Sequence, residues 1–238
     1  MASTVMVVGE CGTGKTTSLR TLDPKETLII STIGKDLSFR GWKKKYTPLV
    51  KNKEGEWSGN YYISYNYENI LKILKLVNLK MTHIKQVVID DFQYMMSFEM
   101  LDRAKETGFT KFTELAEHVR RIFLYAKDIR EDCTVVYLTH SENEGTDTNP
   151  KYVMKTAGKM LRQQLTIEGM FTVMFFTKVI DKGNEVYEYK FLTNTDGECV
   201  ARSSMGMFEL YIDNDMQFVI DTIRKYNDDD TEPIETKE

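Results

Sequence analysis

One eight-residue segment near the start of the chain limits the folds open to this sequence more than any other feature. Residues 9–16 read GECGTGKT and match the pattern G-x-x-x-x-G-K-[ST], in which glycines let backbone N–H groups converge on a phosphate. The segment follows a β-branched run, residues 4–8, and precedes a helix-like segment, residues 16–21. The motif requires this strand–loop–helix context, so we predict a phosphate-binding loop rather than a chance glycine-rich turn.

This loop is predicted to bind a nucleotide, and two of its side chains have particular tasks. Lys15 is expected to reach the β- and γ-phosphates and to act in catalysis, and the Thr16 hydroxyl is expected to coordinate Mg²⁺. The predicted nucleotide-binding residues are Gly9, Glu10, Cys11, Gly12, Thr13, Gly14, Lys15, Thr16 and Thr17.

A second motif supplies the acidic residues that such a loop needs for its metal ion. Residues 86–90 form a short apolar run that is typical of a buried strand and ends in Asp90, which Asp91 follows. Asp90 is the predicted Mg²⁺ ligand, and Asp91 is a candidate catalytic residue that polarises the attacking water. The alternative is that the two acids only cap the segment that follows them.

A third candidate follows the predicted strand at residues 133–139. If this strand lies between the phosphate-loop strand and the Asp90 strand, His140 is placed where a γ-phosphate sensor belongs. We therefore take His140 as a candidate catalytic residue, with a structural role as the alternative. His83 and His118 are interpreted as surface residues.

Strand-like and helix-like runs alternate along the chain, which predicts an α/β fold with a mostly parallel central sheet flanked by helices and a C-terminal β-hairpin. Further strands are predicted at residues 27–31, 61–65, 170–179 and 185–192, and helices at 68–79, 92–105, 112–130 and 158–167. Residues 34–59 are expected to form a loop or small insertion, and residues 141–150 a mobile loop. We expect one domain, residues 1–226, and an acidic, disordered tail, residues 227–238.

Composition excludes several classes of protein. The chain has 238 residues, of which 41% are hydrophobic, and so can bury a sizeable core. No apolar run approaches the roughly 20 residues of a membrane-spanning helix. The three cysteines are too far apart to indicate a disulfide framework or a zinc site. Because residues 1–4 show no basic and apolar leader, we expect a cytoplasmic location.

The net charge of −4 is concentrated at the C-terminal end. Residues 227–238 contain six acidic residues and one lysine, so the rest of the chain has a formal charge of +1. The tail is expected either to increase solubility or to compete for a basic surface, and in the second case its deletion tightens binding to single-stranded DNA.

The nucleotide is predicted to be ATP rather than GTP. GTPases carry an N-K-x-D segment and a D-x-x-G segment at the metal-binding acid. Here Asp90 is followed by Asp91-Phe92-Gln93, and no N-K-x-D segment occurs.

These motifs, together with residues 17–24, 33–39 and 206–209, give the chain a resemblance to phage-encoded RecA-like P-loop ATPases through about residue 226. Part of that group is similar to the Sak-type single-strand annealing ATPases. The resemblance implies a RecA-like core, ATP and Mg²⁺ binding, binding of single-stranded DNA, assembly into filaments or rings, and the host cytoplasm. RecA itself has a water-activating glutamate after its second strand, whereas residues 32–36 contain none. Either Asp91 takes that role or hydrolysis is slow.

Two basic clusters are candidates for contact with DNA. Residues 35–53 carry seven basic residues and one acid, with Trp42 and Tyr46 among them and Trp57, Tyr61 and Tyr62 close behind. Basic residues attract phosphates, and aromatic faces can stack on bases. The alternative is a solvated basic face over packed aromatic rings. The candidate DNA-binding residues are Lys43, Lys44, Lys45, Lys151, Lys155, Lys159 and Arg162.

RecA-like ATPases usually complete their site with a cation from a neighbouring subunit, and Lys178, Lys190 and Arg202 are the candidates here. The expected partners are single-stranded DNA, further copies of the chain, and a single-strand-binding or replication protein. The leading hypothesis is an ATPase that promotes annealing or recombination. A nucleotide-dependent interaction module with little hydrolysis remains open, as does a small-molecule kinase, although Arg120 and Arg121 lie on a predicted helix rather than a lid.

Overall fold

A computed structural model describes residues 1–158, 162 and 165–228 of the chain. Its described part contains strands that build one large sheet and one small sheet. The strands are β1 (Ser3–Gly9), β2 (Thr27–Ser31), β3 (Val50–Lys51), β4 (Trp57–Ser58), β5 (Tyr61–Ile63), β6 (Gln86–Asp90), β7 (Thr134–Asn143), β8 (Tyr152–Met154), β9 (Val173–Asp181), β10 (Tyr187–Leu192) and β11 (Tyr211–Asp213).

The large sheet has the strand order β11–β10–β9–β1–β7–β6–β2–β5, with β8 paired to β7. All neighbours from β9 to β5 are parallel, whereas β10, β11 and β8 are added antiparallel. The predicted mixed α/β class, the mostly parallel sheet and the C-terminal hairpin, β9–β10, are thus confirmed. Strand β7 lies between β1 and β6, so the carboxyl ends of all three strands meet at one edge.

Helices cover both faces of this sheet. The α-helices are α1 (Trp42–Lys45), α2 (Tyr67–Leu79), α3 (Gln93–Asp102), α4 (Thr110–Lys127) and α5 (Met216–Asn227), and 3-10 helices span Thr16–Thr21 and Ile167–Met170. No helix among the described residues combines the length and the apolar character needed to cross a bilayer.

Strand β1 shows how one sequence supplies both cores. Met6 and Val8 join the cluster that contains the buried residues of α2, α3 and α4. Val5 and Val7 join the opposite cluster, which contains the buried residues of α5. Because side chains alternate across a strand, a continuous apolar run is what a strand buried on both faces requires.

The predicted mobile loop at residues 141–150 is partly wrong. Strand β7 continues through Ser141 to Asn143 and pairs with β8, in the register Ser141 with Met154. These residues extend beyond the sheet edge, where the backbone ladder needs no apolar side chains, and so their polar sequence suggested a loop.

The structure also describes regions that the sequence left open or missed. Residues 34–59, which were expected to form a loop or a small insertion, contain α1 and the small β3–β4 sheet, so the second alternative fits the structure. Residues 216–227, for which no helix was predicted, form α5. Five of the ten residues of the predicted helix at 158–167 lie outside the described residues, and a 3-10 helix begins at Ile167. The tail beyond residue 228 also lies outside them.

Candidate functional site

The predicted phosphate loop begins where β1 reaches the common edge of the sheet. Its first residue, Gly9, pairs with His140 of β7, and Thr177 of β9 lies on the other side. A Cβ atom on Gly9 would lie 1.8 Å from Thr177 Oγ1, so only glycine fits here. The Thr177 hydroxyl also lies 2.5 Å from the hydroxyl of Thr13, which connects the loop to β9.

Two other glycines give the loop its curvature. Gly12 and Gly14 have φ angles of 79° and 94°, a left-handed region that residues with a Cβ atom rarely adopt. The segment that follows, Thr16–Thr21, is a six-residue 3-10 helix rather than the α-helix expected for the motif. A phosphate bound in this loop would therefore depend on the loop amides and on nearby cations more than on a helix dipole.

Lys15 lies inside the curve of the loop, and its side chain is held by main-chain oxygens. Its Nζ atom donates hydrogen bonds to the carbonyls of Gly9, at 2.8 Å, and Glu10, at 2.7 Å. Burial lowers the pKa of Lys15, because the charged ammonium loses its hydration. An anion that enters the loop gains this ammonium as a partner.

The predicted metal ligands are in contact. The Thr16 hydroxyl lies 3.2 Å from both carboxylate oxygens of Asp90, which is fully buried at the end of β6. Burial, and next the neighbouring Asp91 carboxylate, raise the pKa of Asp90. No group of three or more His, Cys, Asp or Glu side chains in the described structure could hold a metal by itself. Two oxygen ligands fit Mg²⁺, which takes its other ligands from phosphates and water.

Asp91 follows directly, with a left-handed φ of 60° and a side chain that is 1% exposed. Its carboxylate forms an ion pair with Lys35, and one oxygen lies 3.5 Å from His140 Nε2. Burial alone would raise the pKa of Asp91, but His140 and Lys35 outweigh it, and the pKa is lowered. Asp91 therefore carries its negative charge beside the phosphate loop.

His140 is held between the loop and α3. Its backbone N–H donates to Gln93 Oε1 at 3.2 Å, and its ring Nδ1 lies 3.7 Å from the Cys11 sulfur. The ring is therefore within reach of the phosphate loop and of Asp91 together, as expected for a phosphate sensor.

A cleft of about 450 Å³ unites these groups. It brings together the predicted Lys15, Thr16, Asp91 and His140, and Asp90 contacts it through Thr16. The lining residues are Cys11, Gly12, Gly14, Lys15, Thr16, Thr17, Ile33, Lys35, Ser38, Asp91, Tyr94 and His140.

Lys35 was not predicted as a site residue, although its segment was part of the resemblance. A signal was present: Lys35 follows Gly34 shortly after the end of β2, at the same edge of the sheet as the phosphate loop.

The basic cluster at α1 carries exposed lysines over packed aromatic rings. Lys44 and Lys45 are exposed, and Lys43 forms an ion pair of 3.2 Å with Asp36. The proposed stacking surface is incomplete, because Tyr46 and Tyr61 are only 2% and 6% exposed.

The second basic cluster is divided. Lys151 and Lys155 are exposed on either side of β8. Arg162 instead contacts three carboxylates, those of Glu142 at 2.9 Å and of Glu144 and Glu168 at 2.8 Å, so a structural role is the better interpretation. Lys159 lies outside the described residues.

Two of the three candidates for a cation donated to a neighbouring subunit form ion pairs within this chain. Lys178 pairs with Asp196 at 2.8 Å, and Lys190 pairs with Asp213 at 2.6 Å. Arg202 pairs through its backbone with Met174, which is three residues before the loop contact at Thr177. The structure therefore shows no preferred candidate among the described residues.

Comparison with known proteins gives one family. A family model described as an AAA domain matches residues 1–204, which include the phosphate loop, both acidic residues and the β9–β10 hairpin. No curated protein matches the chain.

Proposed function

This chain belongs to the AAA domain family, and on that premise we propose that it is a Mg²⁺-dependent ATPase. The observation that carries the proposal is the convergence, in one cleft, of Lys15, the Thr16–Asp90 pair and the charged carboxylate of Asp91. A phosphate loop, an oxygen pair for a hard cation and an acid beside it are what phosphoryl transfer to water requires.

The residues divide the task between them. Loop amides and Lys15 would hold the β- and γ-phosphates, and the oxygens of Thr16 and Asp90 would hold Mg²⁺, which supplies positive charge that offsets phosphate charge. Asp91 accepts a hydrogen bond from the attacking water and orients it. The water oxygen bonds to the γ-phosphorus, the bond to the β,γ-bridging oxygen breaks, and its electron pair leaves with ADP, while both water protons stay on the phosphate that forms.

We further propose that nucleotide state controls contact with single-stranded DNA, in support of annealing or recombination by an assembly of several copies. Two observations support this extension. Lys151 and Lys155 are exposed at the β7–β8 hairpin, and the Lys155 N–H donates to the His140 carbonyl at 2.8 Å. A shift of the His140 backbone would therefore be transmitted to the basic hairpin through one hydrogen bond.

An interaction module that binds nucleotide with little turnover is the second candidate. The specific observation in its favour is that Lys35, rather than a glutamate, follows β2, and that Lys35 forms an ion pair with Asp91. A kinase is less well supported, because Arg120 and Arg121 both pair with Glu117 on α4 and form no lid.

Phosphate release from ATP and Mg²⁺, measured with and without single-stranded DNA, separates these functions. We expect turnover by the wild type, stimulation by DNA, and loss of ATP binding in Lys15→Ala. The matched control Lys72→Ala changes an exposed lysine on α2 and should behave like the wild type. Binding without turnover would favour the interaction module, turnover only with a small acceptor would favour a kinase, and absence of ATP binding would refute the proposal.

A further inference from the structure

The backbone that carries Lys35 is held in place by three features. Gly34 adopts a left-handed φ of 69°, and its N–H donates to Ser31 Oγ at 3.0 Å. The buried Tyr61 hydroxyl of β5 donates to the Lys35 carbonyl at 3.0 Å. Lys35 is therefore presented from a defined turn rather than from a free loop.

The Lys35 side chain enters the cleft and keeps its charge there. Burial opposes the charged form, but Asp90 and Asp91 outweigh it and raise the pKa of Lys35. The cleft therefore holds two ammonium groups, Lys15 on the carbonyls of the loop and Lys35 on Asp91.

The contact between Lys35 and Asp91 is suited to exchange. Charge and proximity hold the pair, but neither Asp91 oxygen has a hydrogen-bond partner of regular geometry among the described residues. A phosphate oxygen is a comparable partner for an ammonium group, since hydrogen bonds from ammonium to carboxylate and to phosphate belong to the same charge-assisted class.

While Lys35 is paired with Asp91, the Asp91 carboxylate is not free to orient a water molecule. The position of the pair points to the γ-phosphate, because Asp91 lies next to the metal ligand Asp90 and 3.5 Å from His140. Gly12, Gly14 and Lys15, which would hold the β-phosphate, line the same cleft.

We propose that Lys35 is a γ-phosphate-binding residue that acts within its own chain, leaving Asp91 for the phosphate when ATP binds and thereby freeing Asp91 to orient the attacking water. The inference rests on the proposed ATPase function and specifies how its site responds to the γ-phosphate. It also gives the site a second cation without a contribution from Lys178 or Lys190, which are engaged elsewhere.

The test is nucleotide affinity measured by calorimetry, with ADP and with an ATP analogue whose β,γ-bridging oxygen is replaced by an imido group. We expect Lys35→Ala to weaken binding of the ATP analogue about tenfold or more and to leave ADP affinity within about twofold, since one charge-assisted contact to the γ-phosphate is lost. Lys35→Arg should retain most of the preference for the ATP analogue, and Lys72→Ala should match the wild type. Equal effects on both nucleotides, or no effect, would overturn the inference.

A second variant separates the lost cation from the unpaired acid that it leaves behind. In Lys35→Ala, the Asp91 carboxylate has lost its ion-pair partner, and its negative charge would itself repel the γ-phosphate. The double variant Lys35→Ala/Asp91→Asn removes that charge. We expect the double variant to discriminate between the ATP analogue and ADP no better than the single variant Lys35→Ala does. Restored discrimination would show that Lys35 only neutralises Asp91, and would overturn the inference. Thermal unfolding without nucleotide reports the folding of each variant.

The same measurements distinguish the two levels of failure. If the wild type binds neither nucleotide, the proposed ATPase function fails. If the wild type binds both and Lys15→Ala binds neither, while Lys35→Ala discriminates as the wild type does, the ATPase function stands and only the role of Lys35 is refuted.

Discussion

The three cysteines occupy different environments although none forms a disulfide. Cys11 is exposed within the phosphate loop, whereas Cys133 and Cys199 are buried. Burial raises the pKa of the Cys133 thiol to about 11, and it also raises the pKa of Cys199. Because the thiolate is the reactive form, a raised pKa leaves less of it at any given pH.

We therefore predict that iodoacetamide at pH 8 modifies Cys11 first in the folded protein. With a pKa of about 11, only roughly a thousandth of Cys133 is thiolate at that pH, and its burial slows it further. ATP with Mg²⁺ should slow the modification of Cys11, as peptide mass spectrometry would show. Cys11→Ser is the control, and labelling of Cys133 at the rate of Cys11 would contradict the prediction.

At this scale, residues that belong to a recognisable motif, such as Asp90, could be predicted from the sequence, whereas Lys35, which belongs to none, could not. Lys15 and Thr16 follow from eight consecutive residues. Lys35 becomes a site residue through its ion pair with Asp91. Asp91 is 56 positions away along the chain and adopts a left-handed backbone conformation. No spacing rule encodes that contact.

At the scale of elements, α5 is connected to the segment that follows the phosphate loop. Asp215 caps the helix by accepting a hydrogen bond from the Phe218 N–H at 3.0 Å. The Gln217 N–H donates to Thr21 Oγ1 at 3.3 Å, and Arg20 Nη1 donates to the Asn214 carbonyl at 2.6 Å. The start of α5 therefore supports the 3-10 helix that carries Thr16.

We predict that Asp215→Ala lowers the free energy of unfolding by about 1 kcal/mol, because an N-terminal N–H of α5 loses its acceptor. For a protein of this size, that loss corresponds to a decrease in Tm of roughly 2–4 °C, measurable by calorimetry. Asp215→Asn, which keeps an acceptor, should stay within a few tenths of a kcal/mol of the wild type. Equal effects of the two substitutions would argue against a capping role.

Elements buried on both faces were predicted more accurately than elements at the periphery. Strands β2 and β6 have the predicted bounds, because burial on both faces requires an unbroken apolar run. The continuation of β7 and its partner β8 were missed. A projecting hairpin is held by backbone hydrogen bonds, which do not require a pattern of apolar residues in the sequence. Helix α5 was missed although Val219, Ile220 and Ile223 give it one apolar face.

At the scale of the whole molecule, the charge distribution can be tested through salt. If Lys151 and Lys155 contact DNA phosphates, the double variant Lys151→Ala/Lys155→Ala should bind single-stranded DNA more weakly. Its plot of log affinity against log salt should be shallower by about 1.4, or about 0.7 per lost phosphate contact. Fluorescence anisotropy of a labelled oligonucleotide at several salt concentrations gives both quantities.

The matched control is Lys72→Ala/Lys80→Ala, which removes two exposed lysines from the region of α2 and the same total charge. It should leave the slope unchanged. Equal slopes for both double variants would place the DNA contact elsewhere or refute it.

The two ends of the large sheet restrict how copies of this chain can join. At one end, the outer side of β5 already forms backbone hydrogen bonds with residues 47–49. Within that segment, Pro48 has no N–H that could pair with a further strand. At the other end, β11 has only three residues. Short or covered edge strands discourage strand addition, so we expect any assembly of copies of this chain to form through side-chain surfaces and not through a continuous intermolecular β-ladder.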